Sequence, residues 1–357
     1  VHERNSYRIA RPPEADGLMR RLIKKLSIII LVFSFAASCS LNPFGGVSSA
    51  GGMLKSSDSG DSWELKSRLE DGSALGSLGV ARTRLDPSDK NRLYLASFTK
   101  GVYQSSNAGD NWKNVLTGSR IYDLQINPTN GQEVYAGGTT GNAAKLFKTQ
   151  DGGATWTVSF SQSSASAFVS AVALVPGDSK AVVISLSTGE ILRSVNSGTS
   201  WDLLKPVSGR VLKIFASGIN SNVYFALSRR EGLYRSTDAG ASWTKLSLPG
   251  ATGQFLGGSQ TFEDFTLADS ESVIYLVGSA GVFRSRNLGN NWEKLDLPLH
   301  DANTTATAIA VNPKNSNQIF TAVGQTFYKS TDSGATWQTV AISTTVVVRD
   351  LQVSPDE

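Results

Sequence analysis

Short apolar runs separated by glycine-, asparagine- and proline-rich clusters fill residues 47–357, with little of the 3.6-residue periodicity of helices. Residues 121–126 alternate apolar and polar side chains as a strand does. Asn127-Pro128-Thr129-Asn130-Gly131 then supplies turn chemistry, 133–136 reads as a second strand, 146–148 as a third, and 156–158 as a fourth. The order recurs at 80–85, Asp86-Pro87-Ser88-Asp89, 93–95, 102–103 and Trp112. It recurs again at 308–311, Asn312-Pro313-Lys314-Asn315, 319–321, 327–328 and Trp337. Each unit therefore predicts four short antiparallel strands.

Between the third and fourth strands of each unit lies one repeated octapeptide, Ser/Thr-x-Asp/Asn-x-Gly-x-x-Trp. Four copies carry Asp (Asp58, Asp151, Asp238 and Asp332) and three carry Asn (Asn107, Asn196 and Asn287). They close on Trp63, Trp112, Trp156, Trp201, Trp243, Trp292 and Trp337, which account for all seven Trp of the chain. Successive Asp/Asn positions are 49, 44, 45, 42, 49 and 45 residues apart. Asp and Asn side chains fold back on nearby backbone N–H groups, Gly accepts a positive φ, and a Trp can lock the turn against its neighbour. These residues read as structural. Periods in the forties with several short strands each mark propeller blades.

The expected fold is all-β: a seven-bladed β-propeller of four-stranded antiparallel blades. After the last box, 346–353 is another first strand, whereas the first box has none before it. The C-terminal strand is expected to join the N-terminal blade and close the ring, with a short second strand near 47–50.

The box resembles the Asp-box, or bacterial neuraminidase, repeat. That family includes sialidases, xyloglucanases, sortilin-type receptors and photosystem II assembly factors. The resemblance spans 47–357. It implies that the boxes sit at the blade periphery, away from a central funnel that binds ligands, and fold alone does not choose among these functions.

Composition changes the picture at the N-terminus. Arg20, Arg21, Lys24 and Lys25 precede a ten-residue apolar run at 26–35, then Ala36-Ala37-Ser38 and the only Cys, Cys39. This pattern predicts a secretory signal at 19–38, too short for an ordinary membrane span. It resembles a lipoprotein signal, which implies lipidation at Cys39. Residues 1–18 read as an over-extended start ahead of Met19, and 39–46 as a short linker to the 47–357 propeller. Residues 1–38 hold seven of the 34 basic and three of the 30 acidic residues, which leaves 27 of each. The basic pI thus belongs to the leader, and nucleic acid is not an expected partner.

Candidate chemistry is sparse. A glycosidase needs two carboxylates at a defined separation. Glu263-Asp264 is the least repetitive acidic pair and the best enzymatic candidate. Asp123, Asp264 and Asp350 share one repeat column, which favours a structural role; Glu70, Asp71, Glu190, Glu231 and Asp301 lie in loops. A sialidase-like site would need clustered arginines, for which Arg68, Arg120, Arg210, Arg229 and Arg230 stand singly in the sequence. His300 alone cannot build a zinc site, so no metal or cofactor is expected. Sugar platforms would fall to Phe98, Phe168, Phe255 or Phe262. The loops expected at the funnel are 64–77, 159–168, 249–261 and 298–305. The reading is an exported, lipid-anchored, monomeric binding or assembly scaffold of the bacterial cell envelope, with an envelope protein or glycan as partner. The alternative is a sialidase- or xyloglucanase-like glycoside hydrolase or a carbohydrate binder.

Overall fold

The computed structural model describes residues 29–33, 52–76, 78–163, 167–248, 260–268, 271–298, 305–342 and 347–354. Cys39, residues 47–50, Phe255, His300 and Asp301 lie outside them. The chain is a β-propeller of four-stranded antiparallel blades. Six blades each use four consecutive strands. Their first strands are Val80–Asp86, Arg120–Asn127, Val169–Val175, Val211–Ala216, Phe262–Ala268 and Ala306–Asn312, and we number blades 1 to 6 in that order. First strands of successive blades pack side by side, and Val348–Val353 lies between those of blades 6 and 1, so the inner ring closes.

The closing sheet joins both ends of the described chain. Its order is Val348–Val353, Ile29–Phe33, Met53–Ser56, Glu64–Lys66. The second position, expected near 47–50, is held by Ile29–Phe33, which pairs antiparallel with the strand on either side. This stretch belongs to the apolar run read above as part of a leader. Its β-branched and aromatic composition suits a strand, and the two edges beside it need a partner.

The box geometry explains the repeat. In Ser330–Trp337 the Ser330 hydroxyl donates to Asp332 Oδ1 (2.8 Å) and accepts from Gly334 N–H (2.8 Å). Asp332 Oδ1 also accepts the Thr336 N–H at 2.8 Å. Asn boxes keep the backbone bond: Asn196 Oδ1 accepts Ser200 N–H at 2.9 Å while its Nδ2 donates to Ser200 Oγ at 2.8 Å. The turn needs positive φ at two successive positions, Ser333 (60°) and Gly334 (88°). The first of these carries a side chain in six of the seven boxes, so the sequence marks only the second.

The boxes also join blades. The core falls into seven apolar layers, one between each pair of neighbours, and one box Trp touches each. Trp63, for instance, meets Phe327 edge-on at 5.0 Å between ring centroids. The box Gly is pressed against the previous blade: a Cβ on Gly334 would stand 2.6 Å from Leu295 Cδ1. A contact the sequence did not suggest comes from the residue before five of the boxes, whose side chain donates to a box carbonyl of the next blade. Examples are Lys55 to Ala108 (3.3 Å), Gln104 to Gly152 (2.7 Å) and Arg235 to Leu288 (2.8 Å).

Two outcomes follow from this geometry. Gly334→Ala should cost about 1–3 kcal/mol in denaturant unfolding, because the substitution meets both a left-handed backbone and Leu295; a loss within error would contradict the lock. The second concerns acid. Hydrogen bonds from Thr336, Thr155 and Ser242 hold Asp332 (to about 2), Asp151 and Asp238 below the ordinary 3.8. A depressed native pKa gives stability that is present above the unfolded value and lost as pH falls through the native one. The triple variant D151N/D238N/D332N should therefore melt as the parent does at neutral pH and lose less stability between about pH 4 and pH 2. An acid limb as steep as the parent's would contradict the assignment.

Candidate functional site

Each inner strand carries a β-bulge at the same repeat position, visible as a register shift against the second strand. The bulged residues are Ala81, Tyr122, Ser170, Leu212, Glu263, Thr307 and Arg349. A bulge leaves one residue unpaired and re-aims its side chain. All seven line one cavity at the mouth of the ring, of about 250 Å³. Arg82, Arg210, Arg229 and Phe98 complete much of its wall.

Just below the bulges, a belt of charge closes the axis. Asp123, Asp264 and Asp350 are each buried, and each carboxylate accepts a backbone N–H of the next blade: Val172 at 2.9 Å, Ile309 at 3.3 Å and Thr83 at 2.8 Å respectively. Cations complete the belt. Arg84 reaches Asp123 (3.1 Å) and Asp350 (3.6 Å), Lys213 reaches Asp264 (2.8 Å), and Arg82 reaches Asp350 (3.4 Å) and the Leu212 carbonyl (3.5 Å). Burial opposes the charge of Arg82, but Asp350, Asp264 and Asp123 together raise its pKa above the ordinary value. Burial also pushes the Asp123 carboxyl up, against Arg84 and Arg82. Below the belt a second cavity of about 650 Å³ opens on the hairpin face among Pro128, Leu174, Phe215 and Leu267.

The funnel above the belt is cationic. Four arginines line it, against the single carboxylate of Glu263 among the described lining residues. Glu263 Oε1 accepts from Arg229 Nε (3.0 Å) and Nη2 (2.8 Å). Among the described residues neither Arg210 nor Arg349 has an ion-pair partner, and both keep solvent-exposed surface toward the funnel. Partial desolvation depresses both guanidinium groups; Tyr122 offsets this for Arg210 and Glu263 for Arg349, and nearby cations add to it. Arg210 lies over Phe168 (4.8 Å) and Tyr122 (5.7 Å). Tyr122 stacks on Phe168 with 4.0 Å between centroids and is tilted against Phe98 at 5.3 Å. The result is a concave site with an aromatic wall and excess positive charge.

The sequence candidates separate here. Glu263 and Asp264 are adjacent but face different surroundings: Glu263 lines the funnel, whereas Asp264 is held by Lys213 and by the N–H groups of Phe265 and Ile309. Arg210 and Arg229, single in the sequence, come together with Arg82 and Arg349, which sequence reasoning missed. The column holding Asp123, Asp264 and Asp350, moved one residue toward the N-terminus, gives Tyr122, Glu263 and Arg349 and could have found them. Phe98 lines the funnel as a platform would and Phe168 backs it through its stack on Tyr122, while Phe262 is buried in the core. Glu231 pairs with Lys245 at 2.9 Å, Asp71 closes its own turn on Ser73 at 2.9 Å, and Glu190 bonds Thr188. Among the described residues no group of three or more metal-ligating side chains occurs.

No protein-family model matches the chain, and no curated protein matches it in sequence. Solved structures do resemble it. The GH74 xyloglucanase from Xanthomonas campestris superposes with a TM-score of 0.59 at 15% identity, over 73% of this chain and 45% of that enzyme. YCF48 bound to D1 peptide gives 0.57 at 18% identity, over 74% of this chain and 81% of that one. YCF48 from Cyanidioschyzon merolae gives 0.56 at 16% identity, over 75% and 86%. The chain spans less than half of the xyloglucanase. It is a β-propeller similar in fold to GH74 enzymes and to YCF48.

The belt makes a direct forecast. Asp350→Ala strips Arg82 and Arg84 of a buried counter-charge and Thr83 N–H of its acceptor, and should cost about 3–5 kcal/mol in equilibrium unfolding. A cost under about 1 kcal/mol would mean that the belt is not a joint.

Proposed function

We propose that this chain is a non-catalytic binding propeller that holds a segment of a partner protein in its arginine-lined funnel. The observation that carries the reading is the state of the carboxylates: Glu263 is paired with Arg229, and Asp264 is tied into the belt. A retaining or inverting glycosidase needs two carboxyl groups facing one substrate. The described funnel offers four arginines and one such group. The fold likeness to YCF48, of which one structure holds a D1 peptide, supports a protein ligand. The residue pattern at 19–39 suggests export and a lipid anchor at Cys39 in the cell envelope, which requires another strand to take the place of Ile29–Phe33 in the closing sheet once a leader is removed.

A second reading has its own support. The clustered arginines and the Phe98–Tyr122–Phe168 wall are what a carboxylated sugar would use, and the fold is shared with a xyloglucanase. One experiment separates the two. The protein is incubated with xyloglucan, sialosides and bacterial polysaccharides, and a displayed random-peptide library is selected against it. The binding reading expects no released sugar, and enriched peptides whose capture is lost in R210Q/R349Q. Sugar release that disappears in E263Q would replace it with glycoside hydrolysis.

A further inference from the structure

The funnel carries a charge imbalance that the protein meets with one of its own side chains. Arg229 places two N–H groups on a single oxygen of Glu263, in a pair whose arginine is 56% exposed. The Glu263 side chain is 16% exposed, so the carboxylate is fixed in the wall while the guanidinium stands within reach of solvent and of a second carboxylate. The same carboxylate is the one that offsets the desolvation of Arg349. Arg210, whose Cζ lies 4.8 Å from the Phe168 ring centroid and 5.7 Å from that of Tyr122, has no counter-ion among the described residues. A guanidinium is a fork of N–H donors suited to a planar carboxylate.

We infer that the funnel is a receptor for a carboxylate side chain flanked by aromatic or other apolar residues, and that Glu263 is a built-in stand-in for that carboxylate. On binding, the ligand carboxylate takes donors from Arg210 and Arg349 and competes with Glu263 for Arg229. Its neighbouring ring packs on Tyr122 and Phe168. The cavity of about 250 Å³ admits one or two side chains, so recognition is of a short acidic motif within an extended segment. This rests on the binding reading above and names the ligand chemistry of that site. It also inverts the role that Glu263 would have in an enzyme: removing the carboxylate should help the ligand.

The test titrates the full chain with the acetylated, amidated tetrapeptide Phe-Asp-Glu-Phe and with its neutral isostere Phe-Asn-Gln-Phe. The acidic peptide should bind about tenfold tighter or better, and lose affinity as salt rises. R210Q and R349Q should each weaken it about tenfold, and Glu263→Gln should tighten it about threefold, with unchanged thermal melts showing that each variant is folded. Equal binding of the two peptides, arginine variants that bind as the parent does, or weaker binding in E263Q would overturn the inference. Capture of phosphatidylglycerol vesicles, lost in the arginine variants while the peptide is ignored, would assign the funnel to a lipid headgroup instead. If the acidic peptide fails but library selection yields binders that ignore R210Q/R349Q, a binding protein remains and this ligand chemistry does not.

Discussion

A blade cannot stand alone: each is a small twisted sheet with two apolar faces, and only the joint to its neighbours buries them. Here the joint is made twice. At the inner rim, buried carboxylates of Asp123, Asp264 and Asp350 accept N–H groups across the blade boundary. At the outer rim, the box presses its Gly and Trp on the preceding blade and offers a carbonyl to that blade's third strand. Neutral or charged, each box does the same mechanical work, which is why Asn replaces Asp three times without a visible change in the turn.

The belt does more than hold the ring. It fills the axis with matched charges and so divides what would be a tunnel into two unlike cavities. One opens among the hairpin prolines and mixes apolar side chains with Arg84, Lys213 and Glu271. The other is formed by the bulges, which turn seven otherwise ladder-bound positions toward the axis. A rigid ring thereby supports a variable lining. The belt residues are committed to one another, whereas the bulged residues are free to differ from blade to blade, from Ala81 to Arg349, and that difference is what makes the funnel chemically distinctive.

Much of the fold was legible because it is periodic. The box, the Pro-containing hairpins and the alternation of 121–126 repeat often enough to give the four strands, the blade order and the role of Val348–Val353. The second strand of the closing sheet was not legible, since an apolar run such as Ile29–Phe33 reads equally as strand or leader. The funnel was legible only in part. Glu263, Arg210, Arg229, Phe98 and Phe168 were singled out by residue type, but nothing in the linear chain says that 210, 229 and 349 meet. Nor does it say that Glu263 and Asp264, one bond apart, serve different masters: that division is made by the bulge, a backbone feature with no side-chain signature of its own. The Asp column was seen, and its meaning followed from repetition rather than from any single residue.

The proposed role of the funnel is to take an acidic ligand to which Glu263 yields Arg229. The most direct measurement is a crystal structure of the protein with the acidic tetrapeptide bound. The expected complex has a ligand carboxylate on Arg210 and Arg349, a ring against Tyr122 and Phe168, and Glu263 parted from Arg229. A peptide seated in the lower cavity, or one in the funnel with the Glu263–Arg229 pair intact and no carboxylate on the arginines, would contradict it.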